Sequence, residues 1–367
     1  MTKPWHVKSK EIEEELYKKI TEYAKKKKPP RKNETKDIFN RVLYIAPEDI
    51  ETVNWVRKTP VSIFNPGAVI KNKKLLIFPR IIYGYYYYSS CIGLMELDVE
   101  KVLEGEVEKP IPTKIIMYPE EPWEMALGCE DPRVELQNNT YYILYTAVAH
   151  PPDRLWKRPI VGVYGYIGLQ ALALMDLDYN VKFRGYFKIK MKDKIHIPDG
   201  WRDSAFLKIG SKESTLLTRP SIKGFDVCWK GILDMEELTL DVESLEPNLF
   251  NEEWEAKIGW STNAVKISKN EYLVGWHGVS NDDGFYREGL AVVDEEGKLL
   301  AITPHYVLEP RGLNEIYGDR PGVIFGNGLV VYKDLLIWVG GVSDHVIGVF
   351  VTEKDKALEN LVWLKKS

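Results

Sequence analysis

Glu130, Asp131 and Arg133, with Pro132 among them, set two carboxylates and a guanidinium within four residues. They run straight into an apolar, strand-like stretch, Val134 to Ala147 (VELQNNTYYILYTA). Charges at the start of a buried strand are costly unless they pair or face a polar cavity. Two carboxyls beside a cation suit acid–base work, because neighbouring charges move a carboxyl's proton affinity in both directions. Glu130 favours a proton on Asp131, and Arg133 opposes it. Alternate residues of a strand face opposite ways, so the spacing leaves open which of the three meets a pocket.

The elements that would position this motif emerge from a self-comparison. Five segments share one layout: Asn65 to Arg80, Asp131 to Thr146, Asp203 to Arg219, Thr262 to His277 and Arg320 to Gly341. Each opens on a polar residue, continues with an apolar run and a polar turn, and closes with a second apolar run. The markers Asn65, Asp131, Asp203, Asn263 and Arg320 recur every 57 to 72 residues. Such a unit holds a four-stranded antiparallel sheet and its loops. Five of them arranged radially make an all-β, five-bladed β-propeller. In that geometry the inner strands converge, bringing Asp131, Arg133, Arg202, Asp203, Arg219, His277 and Arg320 to one mouth. The ends of the second strands, Arg80, Thr146, Arg219, His277 and Gly341, form a ring close by. The competing expectation for each charge is that it only pairs between blades.

Ahead of the repeats, Ile12, Leu16, Ile20 and Tyr23 recur at helical spacing, predicting an amphipathic helix from about Ser9 to Lys27. Lys25 to Lys28, then Pro29 and Pro30, stop it and read as a solvated basic linker. The expected division is an N-terminal helix and linker, 1–40, and a propeller, 41–367. Of 367 residues, 44% are hydrophobic and 28% charged, enough for a large core on a soluble chain. With 50 basic and 54 acidic residues the net charge is −4, which points to neither nucleic acid nor an acidic membrane as partner. Three scattered cysteines, no long apolar run and a charged N-terminus lead to the expectation of a cytoplasmic protein. The 21 tyrosines and 11 tryptophans suit strands and the stacking of sugar faces.

The motifs, in order, resemble glycoside hydrolase family 130, the β-mannoside phosphorylases and related mannosidases. They are Asn65-Pro66 with Arg80, Glu130-Asp131-Pro132-Arg133, Arg202-Asp203-Ser204-Ala205-Phe206, Arg219-Pro220, Trp276-His277-Gly278 with Tyr286, and Gly340-Gly341-Val342-Ser343-Asp344. The resemblance implies a five-bladed propeller and Asp131 as the catalytic acid, acting through a hydroxyl of the bound mannose. It implies that Arg202, Arg219, His277 and Tyr286 hold inorganic phosphate. It places Asn65, Arg80 and Asp344 at the sugar, and we group Glu130, Arg133 and Asp203 with them. The expected reaction is inverting phosphorolysis of a β-mannoside to α-mannose 1-phosphate, with phosphate as co-substrate and no metal or organic cofactor. Residues 149–168 and 317–322 depart from the family pattern, in loops of the kind that set substrate choice.

Phosphate brings its own negative charge, so it calls for arginine forks rather than a second carboxylate. An inverting mannosidase would instead need a base, for which Glu288 or Glu315 is available. A sugar-binding propeller without catalysis is the reading from another class. The N-terminal helix either caps its own propeller or, as the resemblance allows, packs across a homo-oligomer interface. His150 reads as a loop residue, and His196, His305 and His345 show no metal-ligand spacing. Asp282-Asp283 reads as a solvated turn, with calcium as the alternative. Gly322, Gly326 and Gly328 precede a strand-like run rather than the helix a phosphate loop requires. Tyr85 to Tyr88 reads as a strand with alternating faces, or as a platform for sugar.

Overall fold

Two-residue turns fold the chain back on itself. Asn72 and Lys73, and again Asn138 and Asn139, all hold positive φ, the mirror-image turn whose twist suits a hairpin. A computed structural model describes residues 4–26, 28–151 and 166–364. Its long strands sort into five antiparallel units. The first is Ser62–Lys71, Lys74–Ile82, Ser90–Asp98 and Ile111–Met117. The second is Gly128–Gln137, Thr140–Ala149, Ile167–Met175 and Val181–Tyr186. The third runs Trp201–Lys208, Glu213–Ile222 and Cys228–Asp234, with Thr239–Asp241 outside. The fourth runs Glu255–Trp260, Glu271–Ser280, Tyr286–Asp294 and Leu299–Ile302. The fifth is Ile324–Tyr332, Leu335–Val342 and Val346–Glu353, completed by Asn40–Ile45 from the other end of the chain.

Contacts between blades close the ring. Asn65 Nδ2 donates to Asp131 Oδ1 at 2.9 Å (first to second) and Arg133 Nη2 to Asp203 Oδ1 at 3.1 Å (second to third). Trp260 Nε1 donates to the Trp229 carbonyl at 3.1 Å (fourth to third), and Leu329 N to Asn263 Oδ1 at 2.7 Å (fifth to fourth). The Ile63 amide donates to the His345 carbonyl at 3.1 Å (first to fifth). The fold is the expected five-bladed β-propeller.

Each inner strand carries an extra residue against its neighbour. Pairing slips between Phe64 and Gly67, between Glu130 and Arg133, and between Arg202 and Ala205. Asn65, Asp131 and Asp203 sit in these three bulges with φ of 44°, 52° and 58°. Asn and Asp tolerate that left-handed conformation better than other side chains with a Cβ. The marker residues therefore have a backbone reason for their type. The fifth marker needs correcting: the slip lies between Gly326 and Gly328, so Asn327 occupies the bulge and Arg320 lies ahead of the strand. The fourth inner strand breaks between Trp260 and Val265, and Asn263 in the gap clips the fifth blade rather than facing the mouth.

Two further expectations change. Tyr85 to Tyr87 form an exposed turn, not a strand, because the chain must reverse between Ile82 and Ser90 just after Gly84. The basic run is not simply a solvated linker. Lys28 Nζ reaches the Asn251 carbonyl, and Arg31 is buried, 2.6 Å from Glu255 and stacked over Trp276.

These contacts belong to a strap. Trp5 inserts among the second blade's apolar residues. The helix Lys10–Ala24, capped by Ser9, buries Ile12, Leu16 and Ile20 with Trp201 and Trp229 of the third blade. Arg31 holds the fourth blade, and Asn40–Ile45 enters the fifth. The helix thus caps its own propeller. Leu16→Ala is expected to cost about 2–5 kcal/mol in a denaturant titration, while Lys18→Ala on the exposed face leaves the midpoint unchanged.

Candidate active site

The bulges turn their side chains toward one mouth, and the second-strand residues opposite complete it. Arg80 pairs with Phe64, Thr146 with Glu130, Arg219 with Arg202, His277 with Gly259 and Gly340 with Gly326. The equivalent register is what makes residues far apart in sequence neighbours. Two glycines allow the approach. A Cβ on Gly341 would lie 2.0 Å from Asn65 Oδ1, and one on Gly259 would lie 2.7 Å from Asp203 Oδ2 and 2.8 Å from Arg219 Nε.

A cavity of about 220 Å³ opens there, somewhat below the usual size of ligand sites. One wall carries carboxylates. Asp131 Oδ1 accepts from Asn65 Nδ2 at 2.9 Å and Arg80 Nη1 at 3.1 Å, while Arg80 Nη2 donates to Glu130 Oε1 at 2.7 Å. Asp344 and Tyr88 complete this wall. Burial pushes Glu130 up to about 7; Arg80 opposes the shift and Asp131 adds to it. Burial likewise raises Asp344 to about 6. With Glu130 raised this far, the wall retains a proton near neutrality.

The facing wall is cationic: Arg202, Arg219, Lys257 and, at its exposed rim, Arg320, with Tyr286 among them. Arg219 is neutralised by Asp203, Nε to Oδ2 at 2.7 Å, and by Asp226 at 2.8 Å. Burial alone would raise Asp203, but Arg219 and then Arg133 hold it well below the usual carboxylate range. Among the described residues Arg202, Lys257 and Arg320 form no salt bridge. Lys257 Nζ lies 3.2 Å from the Tyr286 hydroxyl, and the Arg320 guanidinium sits 4.8 Å over its ring. Burial would raise the Tyr286 phenol, yet Lys257 and Arg320 bring it below its ordinary value. Burial, then Arg219, lowers Lys257. The wall is short of negative charge.

Of the expected site residues, Asn65, Arg80, Glu130, Asp131, Arg202, Asp203, Arg219, Tyr286 and Asp344 line this cavity. Arg133 lies beneath it, donating to the Ser261 carbonyl at 2.8 Å, the Asp131 carbonyl at 3.0 Å and Asp203. His277 lies behind Tyr286 and Phe325, its ring 5.5 Å and 5.0 Å from theirs. Burial drives its basicity well down. Neither base considered for a hydrolase lines the cavity. Glu315 is held by Arg41 at 3.0 Å and the Tyr44 hydroxyl at 2.6 Å. Glu288 is enclosed below, beside Ser261. Residues 152–165 of the aromatic insertion lie outside the described residues; Tyr166, just after them, lines the cavity. Asp283 is taken up by Arg287 at 2.6 Å.

Lys257 was missed by the sequence reading. It lies on the inner strand Glu255–Trp260, whereas the repeat comparison began that unit at Thr262. Two-residue alternation with Gly259 was the only available signal.

The model of glycoside hydrolase family 130, described as β-1,4-mannooligosaccharide phosphorylase, matches residues 29–362. The chain belongs to glycoside hydrolase family 130. It is therefore a glycoside-cleaving enzyme in kind. It is 26% identical over 311 residues to a β-1,2-mannobiose phosphorylase of Thermoanaerobacter sp. (strain X514), covering 80% of this chain and 91% of that one. The structure resembles the Listeria innocua β-1,2-mannobiose phosphorylase in complex with β-1,2-mannobiose, with a TM-score of 0.65, 17% identity and coverage of 88% and 98%. It also resembles a mannose phosphorylase from Leishmania mexicana in complex with phosphate ion, with a TM-score of 0.56, 14% identity and 98% coverage of both.

The carboxylate wall makes a pH prediction. The folded chain keeps the Glu130 proton up to about pH 7, whereas the ordinary value is 4.5. The folded state therefore binds more protons across that window, and stability falls as pH rises through it. Glu130→Gln is expected to flatten this fall, read as the difference between wild-type and variant urea midpoints from pH 4.5 to 7.5.

Proposed function

We propose that the enzyme is an inverting β-mannoside phosphorylase. Inorganic phosphate on the cationic wall attacks the anomeric carbon of a mannosyl residue held against Asn65, Arg80, Glu130 and Asp344. The anomeric C–O bond to the leaving sugar breaks, a new C–O bond to phosphate forms on the opposite face, and the leaving oxygen gains a proton. Asp131 supplies that proton, relayed through a hydroxyl of the mannose. The products are α-mannose 1-phosphate and a saccharide shorter by one unit.

The observation that carries this reading is the trio Arg202, Lys257 and Arg320, lining the cavity without salt bridges. Cations brought together without carboxylates repel and lose hydration, a cost that an anion between them recovers. Phosphate offers the oxygens and charge that arginine forks accept. Water as nucleophile would need a free carboxylate on this wall. Asp203, the carboxylate present, is fully engaged by Arg133 and Arg219. The opposite wall supplies the other half of the chemistry, since burial raises Glu130 to about 7 and leaves a proton on that wall near neutral pH. The name of the Thermoanaerobacter relative makes β-1,2-mannobiose the first substrate to test, and the description of the family model puts β-1,4-mannobiose beside it.

Purified enzyme is expected to release mannose 1-phosphate from a mannobiose only when phosphate is present. An undiminished rate of bond cleavage in phosphate-free buffer would identify a hydrolase instead. Asp131→Asn should lower kcat by about 10²-fold or more, the usual share of a general acid, while binding of the disaccharide survives. Arg202→Ala should raise the KM for phosphate about tenfold or more, as loss of a hydrogen bond to a charged group does, with a much smaller effect on the KM for the mannoside.

A further inference from the structure

The segment that leads into Arg202 is gripped by the N-terminal strap. Lys8 Nζ donates to the Ile197 carbonyl at 2.7 Å and lies 2.6 Å from Asp199. The Ile197 amide donates to the Val7 carbonyl at 2.8 Å, and the Ser9 amide to His196 Nδ1 at 3.1 Å. Burial lowers His196 to about 4, so its ring is neutral near pH 7 and Nδ1 keeps the lone pair that this bond needs. Ser9 also caps the helix Lys10–Ala24, whose Ile12, Leu16 and Ile20 pack in one cluster with Trp201, the residue just before Arg202. The helix and the residues before it lie ahead of the stretch that matches the family model, residues 29–362. We propose that the strap, chiefly through Lys8, positions Arg202 for anion binding by clamping residues 196–199. Lys8 acts through its neighbours and is a positioning residue. The anion assigned to Arg202 rests on the phosphorylase reading above; the clamp does not.

Arg202 depends on such help because no carboxylate among the described residues holds its guanidinium. An arginine without a counter-charge has rotamers to lose when it takes an anion, so a wall that restricts them beforehand raises affinity. That wall includes Gly168, where a Cβ would come 3.1 Å from Arg202 Nη2. Gly168 is fixed in turn by the clamped segment, its amide donating to the Asp199 carbonyl at 3.1 Å. Beyond Asp199 the Ser221 amide donates to the Gly200 carbonyl at 2.7 Å, and Trp201 Nε1 donates to the Thr218 hydroxyl at 2.6 Å. Lys8 therefore reaches Arg202 by two routes, along the backbone from 197 to 201 and across space through Gly168. The side chains of Lys8 and Asp199 are 34% and 67% exposed. A pair so exposed adds little to global stability, so its effect is local. Further along the strap, Lys19 Nζ makes contacts of the same kind away from Arg202, with the Val242 and Leu245 carbonyls at 2.7 Å and 3.0 Å.

Inorganic phosphate is the probe, titrated calorimetrically into the full chain. Lys8→Glu turns the pair with Asp199 into a repulsion and removes the donor to Ile197. It is expected to weaken phosphate binding about fivefold, short of the loss from removing the Arg202 guanidinium itself. Its urea midpoint and its KM for the mannoside stay near wild type. Lys8→Arg keeps the charge and the donors and binds phosphate as wild type does. Lys19→Glu breaks the equivalent contacts on the same strap and leaves phosphate binding unchanged, which separates positioning from a general loosening of the strap. In an Arg202→Ala background Lys8→Glu adds no further loss, because the two act on one group. Wild-type affinity in Lys8→Glu, equal weakening in Lys19→Glu, or an undiminished Lys8→Glu effect without Arg202 overturns the proposal. If phosphate binds but the mannoside is cleaved by water alone, the phosphorylase reading fails while these dissociation constants still judge the clamp. If phosphate does not bind, both fall.

Discussion

A buried carboxylate bracketed by two arginines holds the centre of this molecule together. Asp203 takes Arg219 from its own blade and Arg133 from the blade before, and Arg133 also binds carbonyls at Trp260 and Ser261 of the fourth blade. Charges this deep are tolerated only when each is answered at close range. Here the answer spans three blades, so neutralising Asp203 and setting the blades in register are one event. The cluster also decides which charges remain for chemistry. Arg133 and much of Arg219 are consumed, and Arg202, Lys257 and Arg320 are not.

The cavity above inherits that imbalance. Its two walls are matched to opposite electrostatic tasks, although strands of the same construction build both. On one side three carboxyls compete for Arg80, and a proton is retained. On the other, cations outnumber carboxylates strongly enough that even a buried tyrosine is drawn down in pKa. A wall that keeps a proton faces a wall of unpaired cations across the cavity. Such an arrangement suits a displacement in which the leaving group is protonated on one face while an anion enters from the other.

The repeated bulge explains why these residue types recur. Asn65, Asp131 and Asp203 occupy the same left-handed position in three blades, a conformation that polar, short side chains accept. Backbone demand placed an Asn or Asp at the mouth of these three blades, and each side chain then acquired a separate role. Asn65 steadies Asp131, Asp203 gathers arginines, and Asp131 faces the cavity. The glycines at 259 and 341 mark where a neighbouring blade's polar group needs the space a Cβ would fill.

Much of this could be read from the amino-acid order. The five-fold layout, the hairpins and the helix with Ile12, Leu16 and Ile20 follow from periodicity and turn chemistry, which are local. The convergence of Asp131, Arg202, Asp203 and Arg219 followed from the repeat, because equivalent positions in a radial array share one axis. The register of the fourth and fifth blades was not legible: their inner strands break the pattern, so Arg320 stood in for Asn327 and Lys257 went unnoticed. The sequence by itself determined the architecture and the inventory of charges. Only the tertiary structure decided which charges are spent on each other, sending Arg133 and His277 beneath the floor and leaving Arg202 and Lys257 on the wall. That outcome depends on distances between blades of a few ångströms, and no pattern along a single strand encodes them.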